Sequence, residues 1–431
     1  MKKNYIPKPV FDTFEELIRQ YKELRGSDSP QQVVRKWLGI CFKDSHIEVP
    51  QYVYKDYQMA VNFLYSYRGS RDTFVAYRRD LERVLQWSWF IRKQSILKHK
   101  REDIEAFIEF CLNPPKRWIG LKTVGRFKAV GGEKTPNPEW KPFEVRVGKQ
   151  EHKKGKELSK DSFQFSQMSL RAMFGILSSL YNYLLQEESV DTNPVLLIKQ
   201  KSKFIRKVAT APVIRRLSNK QWQIVIDLAK EKAKKDVQYE RTVFILSCLY
   251  GMYLRISELA TTSRWTPIMG NFFKDSNGNW WFKVVGKGNK FRQIAVSTAM
   301  LKALKRYRTS YLNLPSYPAP DEKIPLISHV TDINKPITST RPIRRLVQEC
   351  FDSAADELES KGEQHEAELL RTATVHWLRH TGISEDVKVR PREHVRDDAG
   401  HSSGAITDRY IDVELQARAK SARNKVIDGD G

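Results

Sequence analysis

Residues 374–384 read TVHWLRHTGIS, a stretch that puts His376, Arg379 and His380 within little more than one helical turn. Residues at i, i+3 and i+4 share one face of a helix, so all three side chains can address a single object. Taken alone, the stretch is equally compatible with an exposed, mildly basic helix. The rest of the chain has to decide between the two.

Charge narrows the object. Seventy-five Lys and Arg stand against 51 Asp and Glu, a net charge of +24 with a pI near 9.7. The excess is uneven: residues 1–216 hold 41 basic and 24 acidic residues, and residues 217–431 hold 34 and 27. A basic surplus of this size implies a polyanionic partner, nucleic acid before an anionic membrane. No Lys/Arg-rich helix with a Trp/Leu face stands out, and no apolar run is long enough to cross a bilayer. The start, MKKNYIPKPVFDTFEEL, has no apolar h-region behind its lysines and does not read as a secretory signal. Four scattered cysteines (Cys41, Cys111, Cys248, Cys350) lack metal-ligand spacing, which argues against disulfides or zinc and fits a reducing cytosol.

Periodicity divides the chain. Residues 1–50 read as a helical extension: Phe14, Leu17, Ile18, Tyr21 and Leu24 recur at helical steps, and Ser29-Pro30 opens a second helix. Residues 55–205 read as a helical domain, with Phe74, Tyr77, Leu81, Val84, Leu85 and Trp89 on one stripe, most simply core. Within it, 113–160 is a Pro-, Gly- and Lys-rich insertion holding Trp118 and Trp140. Basic residues mixed with aromatics suit a loop gripping a nucleic-acid backbone, but a solvated loop reads equally well. Residues 206–217 form a basic linker. From 218 onward helices resume, with Ser218 as an N-cap, interrupted by the period-two stretch GNWWFKVVGKGNKFRQIAVS, a strand, a Gly-rich turn and a second strand.

Four segments of this last region each carry a cationic or protic group. YLRISEL supplies Arg255, VVGKGNKFR supplies Lys287 at a turn, the opening stretch supplies His376 and Arg379, and AGHSSGAITDRYID supplies His401 and Tyr410. Each is weak alone. Cleaving a phosphodiester without metal or nucleotide needs a nucleophile, neutralisation of the phosphoryl oxygens and a proton for the leaving oxygen. A tyrosine, two arginines, a lysine and histidines can supply all three. A zinc site at His376, His380 and His401 is disfavoured, because no carboxylate takes the HExxH place and Arg379 would repel the cation. No Walker-type glycine loop occurs, so ATP use is not expected.

In the order Arg, Lys, HxxR, His, Tyr, the segments LRISEL, GKGNKFRQIAV, HWLRHT and GHSS…T…Y resemble those of the tyrosine recombinases, the phage integrase family. The resemblance is strong over residues 218–415 and looser upstream, in DTFVAYRRDLERVLQW and DTNPVLLIK. It implies a mainly α fold with a small antiparallel β-sheet in a catalytic domain at 218–431. It also implies a helical core-binding domain upstream, the two forming a C-shaped DNA clamp. Implied for the site are Tyr410 as nucleophile, Arg255 and Arg379 on the phosphate, and Lys287 as acid for the leaving group. His376 would assist proton transfer and His401 would bond the phosphate, while His380 is expected to pack or cap nearby. No cofactor or metal is expected.

Implied partners are double-stranded DNA recombination sites, sister protomers of a homotetrameric synaptic complex and accessory proteins, in a bacterial cytoplasm at the nucleoid. Expected DNA contacts are Arg71, Arg78, Arg79, Lys153, Lys154, Lys203, Arg206, Lys207, Lys290 and Arg292. The role would be strand exchange through a 3′-phosphotyrosine and a Holliday junction, for a mobile element. The alternatives are a type IB topoisomerase, which would share this chemistry, and a DNA-binding relative that has lost it. One departure from the family pattern concerns backbone: its usual Gly two residues before the first arginine is Tyr253 here. A second is the stretch between Arg255 and Lys287, longer than in compact members.

Overall fold

In the computed structural model, residues 5–42, 49–146, 148, 151, 155, 157–201, 204–205, 215–262, 264–286, 288–408, 410 and 422–423 are described. The chain divides into two compact units, Met1–Ala209 and Thr210–Gly431. It is mostly helical, with short strands set between the helices, the fold class expected from the motifs. Among the described residues, no helix is long and apolar enough to cross a membrane.

The first unit is built on α1 (Phe14–Gly26), α2 (Pro30–Phe42), α3 (Gln51–Ser66), α4 (Arg71–Trp87), α5 (Arg101–Leu112), α6 (Gln167–Gln186) and α7 (Pro194–Lys201). The stripe on α4 is core: Phe74, Leu81, Val84 and Leu85 are fully buried and Trp89 nearly so. The N-terminal segment shares that core, through Tyr5, Val10, Phe11, Leu17 and Leu24. Glu82, fully buried on α4, anchors it by accepting the backbone N–H of Val10 at 2.6 Å and of Phe11 at 3.2 Å. A buried carboxylate is tolerated only when paired, and Arg126 supplies the charge.

The insertion folds onto the same unit. Its strands are β1 (Ile119–Gly120), β2 (Phe127–Val130), β3 (Glu133–Pro136) and β4 (Phe143–Glu144). β2 and β3 form an antiparallel hairpin, while β1 and β4 meet in parallel. Its tryptophans do not reach for nucleic acid. Trp118 is fully buried against Phe110, with ring centroids 4.9 Å apart, and Trp140 lies under the Arg126 guanidinium at 4.8 Å. Trp118 packs among aromatic neighbours and Trp140 against a cation, so neither indole is presented at the surface.

The second unit opens with α8 (Asn219–Lys235), where Ser218 accepts the N–H of Gln221 and Gln221 returns the bond to Ser218, a capping box. Then follow α9 (Tyr239–Gly251) and a three-stranded antiparallel sheet of β5 (Phe272–Lys274), β6 (Trp280–Val285) and β7 (Phe291–Ala295), in the order β5-β6-β7. Period-two alternation shows in β6, where Phe282 and Val284 are buried and Lys283 is exposed. The chain continues through α10 (Thr298–Arg306), α11 (Arg341–Ser360), α12 (Gln364–Thr372), α13 (Val375–Asp386), α14 (Arg392–Ala399) and α15 (Gly404–Asp408). α13 is the opening stretch, and it crosses α9 closely. A Cβ at Gly382 would run into the Tyr250 carbonyl, so only glycine lets the two backbones approach this far.

Candidate active site

The site assembles where three chain breaks meet α13. The first is the end of α9. Tyr253 sits there at φ 50°, in the left-handed region that costs a residue with a Cβ about 1–2 kcal/mol. Glycine is the easier residue there, which asks what holds a tyrosine instead. The ring is 1% exposed, the hydroxyl donates to the Asp386 carboxylate, and Arg390 donates to the hydroxyl at 3.0 Å. The turn aims the Tyr253 carbonyl at Arg379, whose Nη1 donates to it. Two residues on, Arg255 opens the short 3-10 turn Ile256–Leu259.

Glu258 organises the arginines. Its carboxylate accepts the Arg255 backbone N–H at 2.8 Å and the Arg255 guanidinium at 2.9 Å. It also takes both forks of Arg292, at 2.9 and 2.8 Å. Burial alone would raise the Glu258 pKa, but hydrogen bonding and charge from Arg292 and Arg255 take it below the usual carboxylate value. Gly286, at the hairpin turn, makes room for this cluster: a Cβ there would lie 2.8 Å from Arg292 and 2.9 Å from Glu258.

The second break is the end of α14. The last carbonyls of a helix have no partner inside it and carry partial negative charge. Here they face the arginines: Asp398 O accepts from Arg292 Nε at 3.0 Å and Ala399 O accepts from Arg379 Nη2 at 2.6 Å. Gly400 ends the helix at φ 66°, the left-handed C-cap that favours glycine. The Asp398 carboxylate accepts from Ala295 N at 3.1 Å and Arg390 Nη2 at 2.6 Å, tying the helix to β7.

The third is the segment after α14. His401 Nδ1 lies 2.9 Å from the Thr407 hydroxyl, and Tyr410 N donates to Thr407 O at 2.9 Å. Tyr410, 7% exposed, packs in a small apolar cluster with Tyr253, Ile383, Val395 and Ala399. Its ring stacks on His401, with centroids 5.6 Å apart. Its hydroxyl lies 2.6 Å from Nδ1 of His380. His380 is therefore no bystander, although its neighbour at i−4, His376, is the residue that the motif singles out. The two imidazoles touch edge to face at 4.3 Å.

The surroundings favour the neutral form of the imidazoles. Burial lowers all three, and neighbouring charge adds to it: Arg379 and Arg255 at His376, His376 and Arg379 at His380, Arg379 and Arg255 at His401. His380 and His401 are taken down to about 4. Burial and Arg255 likewise lower Arg379, which is 2% exposed. A basin ringed by arginines and neutral histidines is poised for an anion, whose arrival would relieve these shifts. Among the described residues, no group of three or more His, Cys, Asp and Glu is arranged to hold a metal ion.

Five of the expected catalytic residues, Arg255, His376, Arg379, His401 and Tyr410, thus come together, while Lys287 lies outside the described residues. Of the expected DNA contacts, Lys153, Lys154, Lys203, Arg206 and Lys207 also lie outside them, as does most of the 411–431 tail. Lys290 is exposed. Arg71 pairs with Glu15 at 3.0 Å and Arg79 with Asp80 at 3.2 Å. Two are corrected. Arg292 is turned inward, its side chain 8% exposed and its donors used on Glu258 and Asp398; Arg78 is half-buried and donates to the Asp12 carbonyl.

No family model matches the sequence, and no curated protein matches it. Solved structures do. The XerH site-specific recombinase bound to a palindromic difH substrate, in a post-cleavage complex, aligns over 97% of this chain and 99% of its own, at 14% identity and a TM-score of 0.52. A Tn1549 transposon integrase in complex with transposon right-end DNA aligns over 85% and 98%, at 15% identity and a TM-score of 0.48. A lambda integrase dimer bound to a core site aligns over 82% and 95%, at 13% identity and 0.42. The XerH likeness spans both units and establishes the fold.

Proposed function

We propose that this chain is a site-specific DNA recombinase of the tyrosine type, which cleaves and rejoins duplex DNA through a covalent 3′-phosphotyrosine. One observation carries the reading: Tyr410 lies buried with its hydroxyl against α13, the helix that also bears His376 and Arg379. Proximity of a nucleophile to an anion-binding cluster is the requirement for in-line attack on phosphate. In this reading Arg255 and Arg379 stabilise charge on the phosphoryl oxygens, and His401 donates to them. Lys287 protonates the leaving sugar oxygen, and the family motif assigns proton transfer near the nucleophile to His376. Glu258 and the α14 carbonyls hold the arginines in register.

Conserving the phosphoester as a protein linkage removes any need for ATP, and the second strand exchange resolves a Holliday junction. Four protomers on two DNA sites would carry this out for a mobile genetic element. The basic surplus supports a phosphate-dominated grip.

Cleavage of duplexes taken from the DNA flanking the gene tests the reading, with binding followed across salt. The expected result is breakage at one position per site without metal or nucleotide. Affinity should fall roughly a thousand-fold or more between about 50 and 200 mM salt, as expected for six to ten phosphate contacts. Relaxation of plasmid at many scattered positions would favour a topoisomerase. A flat salt response would contradict a grip made through phosphates.

A further inference from the structure

We propose that His380, through Nδ1, is the group that orients the Tyr410 hydroxyl and accepts its proton as the phenol attacks the phosphate. The inference rests on the recombinase reading and goes beyond it, since the motif assigns proton transfer to His376. Geometry separates the two imidazoles. The oxygen of Tyr410 is 2.6 Å from His380 Nδ1, within the reach a general base requires. His376 meets His380 edge to face, one ring further along the helix.

Neutral imidazole carries one donor and one acceptor nitrogen. With the ring proton on Nε2, Nδ1 receives the phenolic hydrogen. The groups facing His380 are His376 and Arg379 from its own helix and His401 and Tyr410 from the segment after α14. Their positive or neutral character and the burial of the ring keep it unprotonated, down to about pH 4, in the chain without DNA. A protonated imidazole could not accept. The step balances: the Tyr410 oxygen forms a bond to phosphorus and its proton passes to His380 Nδ1. The bond from phosphorus to the leaving sugar oxygen breaks, that oxygen keeping the electron pair and taking a proton from the Lys287 ammonium. An anionic phosphate nearby stabilises the resulting imidazolium. On religation the proton returns to the phenol.

Tyr410 keeps its position by packing as well as by this bond, because its ring is clustered with Tyr253, Ile383, Val395 and Ala399. Removing the imidazole should therefore slow chemistry more than it disturbs the fold. That distinguishes a base from a mere spacer.

Two measurements test the proposal. The first needs no DNA: the ring nitrogens of 15N-histidine-labelled full-length chain, with His380 assigned by its loss in His380→Asn. The expected spectrum shows His380 neutral with the proton on Nε2, and its Nδ1 signal moves in Tyr410→Phe. A proton on Nδ1, or no response to Tyr410→Phe, overturns the proposal. The second is the pH profile of covalent capture on nicked duplexes from the DNA flanking the gene. His380→Ala should form adduct roughly 100-fold more slowly, and His380→Asn, which keeps a hydrogen-bonding group near Nδ1, should lose the acid limb that the wild type shows. Wild-type rates in both variants, with Tyr410→Phe inert, would overturn it. Absence of adduct in the wild type itself would sink the recombinase reading instead, leaving the nitrogen spectrum to decide the hydrogen bond.

Discussion

Tyr410→Phe should bind DNA as the wild type does and break none of it. Phenylalanine keeps the ring that packs on Tyr253, Ile383, Val395 and Ala399 and removes one oxygen. The fold loses the hydrogen bond to His380, a histidine that can take water in its place. Such a loss costs about 1 kcal/mol, too little to unfold a domain. Chemistry loses its nucleophile, and Tyr253, the tyrosine packed beside it, points its hydroxyl away, onto Asp386 and Arg390. Gel separation of end-labelled duplex checks the result beside a binding isotherm. Cleavage retained in the variant would mean that another group attacks.

Glu258→Ala should cost stability heavily. The Glu258 carboxylate is 3% exposed and stands between Arg292, whose side chain is 8% exposed, and Arg255. Removing one partner from a buried ion pair typically costs about 3–5 kcal/mol, because the other charge stays buried and unpaired. Arg292 would keep only the Asp398 carbonyl, and Arg255 would lose both bonds that set its place. Denaturant unfolding should show the midpoint falling well below that of the wild type. Glu258→Gln, which keeps the shape and an acceptor, should lose less. An alanine variant as stable as the wild type would show that the arginines do not depend on this carboxylate.

Much of the site is legible in the residues. The three- and four-residue steps of 374–384 put His376 and Arg379 on one helix face, and the alternation of 280–295 marks a hairpin. Both signals are local, since helices and strands repeat over a few residues. What the stretch could not reveal was the object facing His380, because that object is a hydroxyl thirty residues further on. The setting of Arg292 is hidden in the sequence for a similar reason. A cation on a basic hairpin looks solvent-directed until Glu258 and the end of α14 are seen to enclose it. Tyr253 stands where the motif expects glycine, and only its positive φ shows why glycine is the easier choice. The tryptophans at 118 and 140 carried no periodicity from which to tell burial from stacking.

The central claim is that Tyr410 attacks phosphorus. Its most direct test is mass spectrometry of the protein after reaction with nicked duplexes from the DNA flanking the gene and exhaustive nuclease digestion. The account predicts a nucleotide linked through phosphate to Tyr410 and to no other residue. An adduct on a different side chain, or cleaved DNA with no adduct at all, would contradict it.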